Sequence, residues 1–306
     1  MYAPIMNPFI SLSSFGLFFL LQVSFAFSQN DSDVYLFSLE KSGKGDYQLH
    51  SPKFLSDFNS GGYSNQPSFT HKGDLLLSVR RPDEDQNDIW LFSLDSRKYR
   101  RLTKTSATEY SPQIHPDEEH LTVLRKINGD PLDQQVCNIH LRTGEMECVT
   151  GDMRDVGYYT WMGPKALGLF RIEGNTHRLS YYDVDENKSR RITTSIGRTL
   201  MSNKSNSLIY IHKFTADYWY IKNYNPSNSS IEIVTQTVSK NEDFTIAPDG
   251  TYFMGKDHNL YSFHPDRGKE WNQVADLSVY GIKYITRLAV SPDSKKLVLV
   301  ATKEKT

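Results

Sequence analysis

Residues 33–40 read DVYLFSLE and residues 88–95 read DIWLFSLD, so eight consecutive positions repeat with only conservative changes. The second copy lies in a longer stretch that alternates short apolar runs with turn residues. In that stretch, a turn at His71-Lys72-Gly73 precedes predicted strands over Leu75 to Val79 and Ile89 to Leu94, and a further strand follows. Four short strands joined by turns are predicted to form one antiparallel sheet.

The first turn of this unit recurs along the chain, as IHPDE (114–118), TWMGP (160–164), IAPDG (246–250) and VSPDS (290–294). The apolar residue before each turn marks the repeat: Phe69, Ile114, Trp161, about Met201, Ile246 and Val290. Successive markers are 40 to 47 residues apart. A period in the forties, with four strands per unit, is typical of a β-propeller.

The number of blades follows from the same spacing. Six first strands are visible, and the last unit, from Ile285, has chain for only two strands. Residues 33–54 supply two more, so the N-terminal strands are predicted to complete the blade that the C-terminal strands begin, which closes the ring and removes exposed sheet edges. The sequence therefore predicts an all-β, six-bladed β-propeller of four-stranded antiparallel blades.

Two stretches, PSFTHKGDLLLSVRR (67–81) and NDIWLFSLDSRKYRRLT (87–103), resemble the TolB-like family of WD-type propeller repeats. That repeat contains a Ser-Pro-Asp-Gly turn, an aspartate before an aromatic strand and a closing Leu-Thr. The resemblance covers about residues 33–303 and is weakest in unit four, where residues 201–207 have lost the turn. It does not extend to the additional α/β domain of TolB, so it implies the propeller alone and not the Tol-pathway role.

The first 28 residues are interpreted as an export signal. Residues 8–27 carry no charge, polar residues interrupt the apolar run, and Ala26-Phe27-Ser28 places small residues where a signal peptidase cleaves. Cleavage after Ser28 would leave residues 29–306 as one periplasmic or secreted propeller domain; a retained membrane anchor is the alternative. No other run approaches the length of a membrane-spanning helix, so no membrane span is expected after signal removal.

An oxidising compartment would permit a disulfide between Cys137 and Cys148. These residues lie in two strand-like runs joined by a turn at Arg142-Thr143-Gly144, and their midpoint falls inside that turn. The two thiols should therefore face each other across a hairpin, either bridged or as two buried free thiols. Neither alternative favours catalysis, because no His stands in a recognisable partner motif.

Composition and motifs exclude several kinds of function. The 35 Lys+Arg and 36 Asp+Glu leave a formal net charge of −1, which removes the electrostatic case for nucleic acid. No nucleophile elbow, phosphate-binding glycine loop or HExxH motif occurs, so no catalytic residue and no cofactor is predicted. Residues 115–120, HPDEEH, occupy the position of the repeated turn, and we interpret them as a solvated turn rather than a metal site.

A basic residue ends the second strand of every unit. We call this set the basic ring: Arg81, Arg125, Arg171, His212, Lys256 and Lys303. The loops after the second strand and before the first share one face of a propeller, so the basic ring is predicted to surround the channel mouth and bind a ligand or partner. The alternative is a set of solvated strand ends. Acidic residues nearby could pair with the ring and cancel its charge: Glu109, Asp155, Glu242 and Asp243.

Repeats account for nearly the whole chain. The function expected first is therefore non-catalytic binding or scaffolding outside the cytoplasm, with a protein, peptide or cell-envelope component as the partner. The alternative is a propeller-fold enzyme or small anionic-ligand binder whose site is collected from several blades at the channel mouth. A His and two or three carboxylates meeting in the channel would favour the enzyme.

Overall fold

A computed structural model describes residues 32–302 of the chain, apart from residues 44, 127–131 and 175. The described residues form 24 strands and two short 3-10 helices, Ser56–Asn59 and Ser278–Tyr280. No helix among them is long and apolar enough to cross a membrane. The predicted export signal (residues 1–28) and Lys303 of the basic ring lie outside the described residues.

Six four-stranded antiparallel sheets form the six blades, so the predicted six-bladed propeller is confirmed. Blade 1 contains β3 (Tyr63–Phe69), β4 (Leu75–Arg80), β5 (Asp88–Ser93) and β6 (Lys98–Arg101). Blade 2 contains β7 (Thr108–Ile114), β8 (His120–Lys126), β9 (Gln134–His140) and β10 (Met146–Cys148). Blade 3 contains β11 (Val156–Trp161), β12 (Ala166–Arg171), β13 (Arg178–Asp183) and β14 (Lys188–Thr194).

The remaining blades follow the same plan. Blade 4 contains β15 (Ile196–Ser202), β16 (Leu208–Lys213), β17 (Trp219–Asn225) and β18 (Ser230–Gln236). Blade 5 contains β19 (Phe244–Ile246), β20 (Tyr252–Lys256), β21 (Asn259–Phe263) and β22 (Asn272–Asp276). Blade 6 combines both ends of the chain: β23 (Tyr284–Val290), β24 (Lys296–Thr302), β1 (Ser32–Lys41) and β2 (Tyr47–Phe54).

Ring closure depends on the pairing of β1 with β24. Their register runs without interruption from Ser32 opposite Thr302 to Ser38 opposite Lys296. The strand order in this blade is β2-β1-β24-β23, so the N-terminal strands complete the C-terminal blade as predicted.

The core lies between neighbouring blades. Leu75 and Leu77 of blade 1 belong to one buried cluster with Val298 and Val300 of blade 6. Each second strand lies inside its sheet and is covered on both faces by adjacent blades. Such a strand is mostly apolar rather than alternating, and residues 75–79 (LLLSV) are all buried, including Ser78.

Blade 4 makes its first turn with different residues. The backbone N–H of Asn203 donates to the carbonyl of Ser207 at 3.1 Å, and that of Asn206 donates to the carbonyl of Asn203 at 2.9 Å. Asn206 has a φ of 57°, at the position where Gly250 of blade 5 has 90°. The side-chain oxygen of Asn203 accepts the Ser207 N–H at 3.0 Å. Two asparagines therefore make in blade 4 the turn that Pro248-Asp249-Gly250 makes in blade 5.

Cys137 and Cys148 form a disulfide bond in this structure. They are directly opposite each other in the β9–β10 hairpin, and Cys137 is fully buried. The bond ties the outer strand of blade 2, which is only three residues long, to its neighbour.

Candidate functional site

The first strands of the six blades surround a central cavity of about 870 Å³. Turn residues such as His71 and Asp249 line one end of it. Tyr158, Arg198 and Arg287 line it near the starts of their strands. First strands start on the face of the propeller where second strands end. The end of the cavity lined by Tyr158, Arg198 and Arg287 is therefore the channel mouth at which the sequence predicted a binding site.

Asp243 is the buried centre of a group of charges at this mouth, with a side chain only 2% exposed. Its Oδ2 accepts a hydrogen bond from Nε of Arg198 at 3.1 Å and also contacts Nη2 of that residue. Its Oδ1 accepts from Nη1 of Arg287 at 2.6 Å and from the Thr199 hydroxyl at 3.0 Å. We call Arg198, Asp243 and Arg287 the charge cluster.

The carboxylate of the charge cluster is ionised. Burial opposes ionisation, but the positive charges of Arg198 and Arg287 outweigh it, and they lower the pKa of Asp243 below its ordinary value. The same carboxylate raises the pKa of Arg198, so both partners keep their charge.

Irregular strand pairing positions these side chains. The register of β15 shifts around Arg198, and that of β23 shifts at Arg287. A β-bulge changes the direction of a side chain relative to a regular strand, and here the bulges place both guanidinium groups in the cavity wall. Asp243 directly precedes β19, where its backbone N–H donates to the side-chain oxygen of Asn241 at 3.0 Å.

The charge cluster carries one surplus positive charge, because two guanidinium groups share one carboxylate. Glu242 accepts the backbone N–H of Arg198 at 3.0 Å with Oε2, but its Oε1 pairs with Lys213, so this pair adds no net charge to the cluster. Among the described residues, Nη1 of Arg198 and Nε of Arg287 have no hydrogen-bond partner. Both residues line the cavity, so these N–H groups are the candidate donors for a ligand there.

Tyrosines adjoin the charge cluster. The hydroxyl of Tyr158 accepts a hydrogen bond from Nη2 of Arg287 at 3.3 Å, and the guanidinium carbon lies 5.7 Å from the ring centre. Burial raises the pKa of Tyr63 well above its ordinary value, and the charges of Arg287 and Arg198 offset only part of the rise. Burial also raises the pKa of Tyr110. The phenols of Tyr63 and Tyr110 therefore stay protonated near neutral pH.

One position of the repeat marks this site in the sequence, but the residue type at that position changes from blade to blade. Each residue three positions before a repeat marker lines the cavity. We call this set the channel ring: Gln66, Ser111, Tyr158, Arg198, Asp243 and Arg287. Its members share a place in the repeat and differ in chemistry, so they do not stand out as a repeated residue type.

The structure places two members of the basic ring against their own blades. Arg81 donates from Nη1 to the carbonyl of Phe58 at 2.5 Å, and its guanidinium lies 5.0 Å from the ring of Trp90. Arg171 donates from Nε to Asp155 at 2.6 Å, which is the acidic pairing expected from the sequence. Glu242 also pairs with a basic side chain, but that side chain is Lys213, which is not one of the six members of the basic ring.

The other described members make fewer contacts, and Nε of Arg125 is buried without a hydrogen-bond partner among the described residues. His212 packs against Phe214, and burial together with the charge of Lys222 lowers its pKa. Arg125 is partly buried in β8, and Lys256 is exposed at the end of β20. None of the five described members is among the residues that line the cavity. Partner binding by the basic ring stays a prediction.

Residues 115–120 form the turn expected from the sequence, but its side chains converge. His115, Asp117 and His120 each have a possible metal-ligand atom within 4.8 Å of the other two. None of these three residues lines the cavity. The group is therefore separate from the charge cluster.

No protein family model and no curated protein matches the chain. A TolB-like protein from Agrobacterium tumefaciens has a similar structure, with 14% identity, a TM-score of 0.65, and coverage of 89% of this chain and 98% of that one. TolB from Acinetobacter baumannii shows 13% identity and a TM-score of 0.55 over 89% of this chain, which spans only 64% of that protein. An oligogalacturonate lyase in complex with manganese shows 13% identity and a TM-score of 0.53, with coverage of 90% and 98%.

These likenesses establish the fold and no more. The neighbours include TolB-like propellers, which agrees with the resemblance seen in the repeats. One neighbour is a lyase, so the fold does not decide between binding and catalysis. Function has to be argued from the site.

Proposed function

We propose that the protein is an exported, non-catalytic binding propeller that takes a carboxylate of a protein or peptide partner at its charge cluster. The observation that carries this proposal is the surplus positive charge of Arg198 and Arg287, whose remaining N–H donors adjoin the cavity. Guanidinium groups recognise carboxylates through paired, charge-assisted hydrogen bonds.

The surroundings suit a peptide better than a free ion. Four prolines contribute to the cavity wall, together with apolar side chains such as Leu200 and Phe244: Pro67, Pro112, Pro248 and Pro292. An apolar wall lowers the local dielectric constant and strengthens the attraction between the arginines and a carboxylate. A segment with one acidic group and apolar neighbours would satisfy both parts of the site.

The proposal of export rests on the uncharged segment at residues 8–27. It places the partner in the periplasm or outside the cell. It also agrees with a disulfide at Cys137 and Cys148, since such bonds persist in oxidising compartments.

The test is calorimetric titration of the purified protein with a short, end-blocked peptide that carries one glutamate between tyrosines. The matched ligand has glutamine in place of the glutamate. We expect binding of the first peptide only, and a loss of affinity of about 10-fold or more in Arg287→Gln, since one charge-assisted contact is removed. The affinity of Arg287→Lys should lie between those of the wild type and Arg287→Gln, because lysine keeps the charge but lacks the planar guanidinium group.

Arg171→Gln is the control, because Arg171 belongs to the basic ring and lies outside the cavity wall. Unchanged affinity in this variant is expected. A loss as large as that of Arg287→Gln would move the site to the basic ring, and equal binding of both peptides would contradict recognition of a carboxylate. Inorganic phosphate, titrated alone, distinguishes a general anion site from a peptide site. Binding of phosphate with no binding of the glutamate peptide would also contradict the proposal.

A further inference from the structure

The first turn of blade 2 brings two imidazoles to one carboxylate oxygen. Nδ1 of His120 lies 2.7 Å from Oδ2 of Asp117, and Nδ1 of His115 lies 2.9 Å from the same atom. The other oxygen, Oδ1, accepts the backbone N–H groups of Glu119 at 2.8 Å and His120 at 3.1 Å. One oxygen of Asp117 therefore builds the turn, and the other faces the two imidazoles.

Blade 6 makes the same turn without imidazoles. Ser291 N–H donates to the carbonyl of Lys296 at 2.9 Å, as His115 N–H donates to that of His120 at 2.9 Å. Asp293 of blade 6 holds its turn through Oδ1, which accepts a backbone N–H at 3.0 Å. Blade 6 therefore makes this turn with an aspartate and without either histidine.

In blade 5, cations contact the free oxygen of the turn aspartate. Oδ2 of Asp249 lies 2.5 Å from Nζ of Lys41 and 3.3 Å from Nη2 of Arg267. Among the described residues, no Lys or Arg pairs with Asp117 of blade 2. Two nitrogen atoms that can bind a metal ion occupy the place of the positive charge.

One side of this group is held by packing and the other is open. The ring of His115 lies 4.3 Å from that of Trp161, and its side chain is only 9% exposed. The side chains of Asp117 and His120 are 35% and 29% exposed, so an ion can reach them from solvent. The neighbouring His140 uses Nδ1 to accept backbone N–H groups of its own turn.

We propose that His115, Asp117 and His120 form a site for a divalent transition-metal ion of the Zn²⁺ class. Nδ1 of each histidine and Oδ2 of Asp117 would be the ligands, with a further position open to water or to a donor atom from a partner. Two imidazoles and one carboxylate are a ligand set of open zinc sites, whereas Ca²⁺ and Mg²⁺ prefer oxygen ligands throughout. The site rests on this turn alone and does not depend on the channel.

Metal binding requires the two imidazoles to move slightly away from the carboxylate. Metal–ligand bonds of about 2.0–2.1 Å in a tetrahedral arrangement separate ligand atoms by about 3.3 Å. The present separations from Oδ2 of Asp117 are 2.7 and 2.9 Å, so the side chains have to move apart by less than an ångström. The metal also replaces the Asp117 N–H that donates to Nδ1 of His115 at 3.1 Å.

The test is Zn²⁺ binding to the full-length protein, measured by competition with a chromophoric chelator at a pH where imidazoles are neutral. We expect one equivalent of tightly bound Zn²⁺. Co²⁺ should give the visible absorption of four-coordinate cobalt when bound to the same site. The main variant is His115→Ser with His120→Lys, which gives blade 2 the residues that blade 6 uses in its turn. We expect affinity to fall about 100-fold or more.

Two further variants separate coordination from structure. Asp117→Asn keeps an oxygen for the turn but loses the charged ligand, so affinity should fall about 10-fold or more. His140→Asn removes a neighbouring imidazole that is not a proposed ligand, and affinity should not change. Zn²⁺ should raise the melting temperature of the wild type and leave that of the double variant unchanged.

Several outcomes would overturn the proposal. They are the lack of a stoichiometric Zn²⁺ site in the wild type, undiminished binding by the double variant, and a loss in His140→Asn as large as in Asp117→Asn. If the double variant does not fold, Asp117→Asn and the Co²⁺ spectrum of the wild type decide. An octahedral cobalt spectrum, identical in wild type and Asp117→Asn, would reject the site.

Discussion

Asp243→Asn removes the negative charge of the charge cluster with little change in shape. In the wild type, Oδ2 accepts from Nε of Arg198 at 3.1 Å and Oδ1 accepts from Nη1 of Arg287 at 2.6 Å. An amide that keeps its oxygen toward Arg287 turns its NH₂ group toward Arg198, so donors face donors. The two guanidinium groups then have no shared negative partner.

The expected loss of stability in this variant follows from how deeply the ion pair is buried. Removing one partner of a fully buried ion pair destabilises a protein by about 3–5 kcal/mol. The side chain of Arg198 is 30% exposed, so water recovers part of this, and we expect a loss of about 3 kcal/mol in the free energy of unfolding. For a domain of this size, that loss lowers Tm by roughly 6–12 °C.

Urea unfolding followed by tryptophan fluorescence measures this loss. The matched control is Asp185→Asn, because Asp185 pairs with Lys165 at the surface and its side chain is 57% exposed. We expect no measurable change in that variant. If Asp243→Asn stays within about 1 kcal/mol of the wild type, the cluster does not act as a buried ion pair and the reasoning is wrong.

The effect should also depend on pH with a definite sign. The pKa of Asp243 is lower in the folded protein than its ordinary value of about 3.9. Ionised Asp243 therefore stabilises the fold above the unfolded-state pKa, and this contribution is lost as the pH falls through the folded-state pKa. The gap in stability between wild type and Asp243→Asn should narrow below about pH 4. A gap that stays constant to lower pH would contradict this assignment.

Two further predictions concern the packing of the blades. In Gly255→Ala, the added Cβ would lie 2.7 Å from Cβ of Ile285 in the next blade, so urea unfolding should show a loss of about 1–3 kcal/mol. Gly43→Ala has no atom within 4 Å and should be neutral; equal effects would argue against a steric cause. Replacing Cys137 and Cys148 by serine opens a bridge between residues 11 apart, and we expect a loss of about 2–3 kcal/mol. Reductant should destabilise the wild type by the same amount and should leave the double variant unchanged. A double variant as stable as the oxidised wild type would contradict the prediction.

The architecture could be predicted from the sequence because a propeller imposes the same burial on every unit. The run at 88–95 repeats the run at 33–40 since both are third strands that pack between neighbouring blades. The turn of blade 4 could not be recognised from its letters. Asn203 and Asn206 provide there, through a side-chain oxygen and a positive φ, what Pro248-Asp249-Gly250 provides in blade 5.

The candidate site was harder to predict, because it consists of residues whose type differs from one repeat unit to the next. A basic residue recurs at the strand end for local reasons, such as the contact of Arg81 with Trp90 and that of Arg171 with Asp155. The channel ring has one residue from each blade: three are neutral, one is negative, and only Arg198 and Arg287 are positive. Repetition marks what the fold requires of every blade. A polar position that varies from blade to blade marks the site.

The pairing of β1 with β24 also determines when blade 6 can form during synthesis. About 255 residues separate Lys41, the end of β1, from Lys296, the start of β24. At a synthesis rate of 5–20 residues per second, the intervening chain takes roughly 13–50 s to make, and β1 lacks the strand that completes its blade for at least that time. During this interval its free edge and apolar face, including Val34 and Phe37, lack their native cover. Until β24 is available, this edge can pair with other chains and has to be kept apart from them.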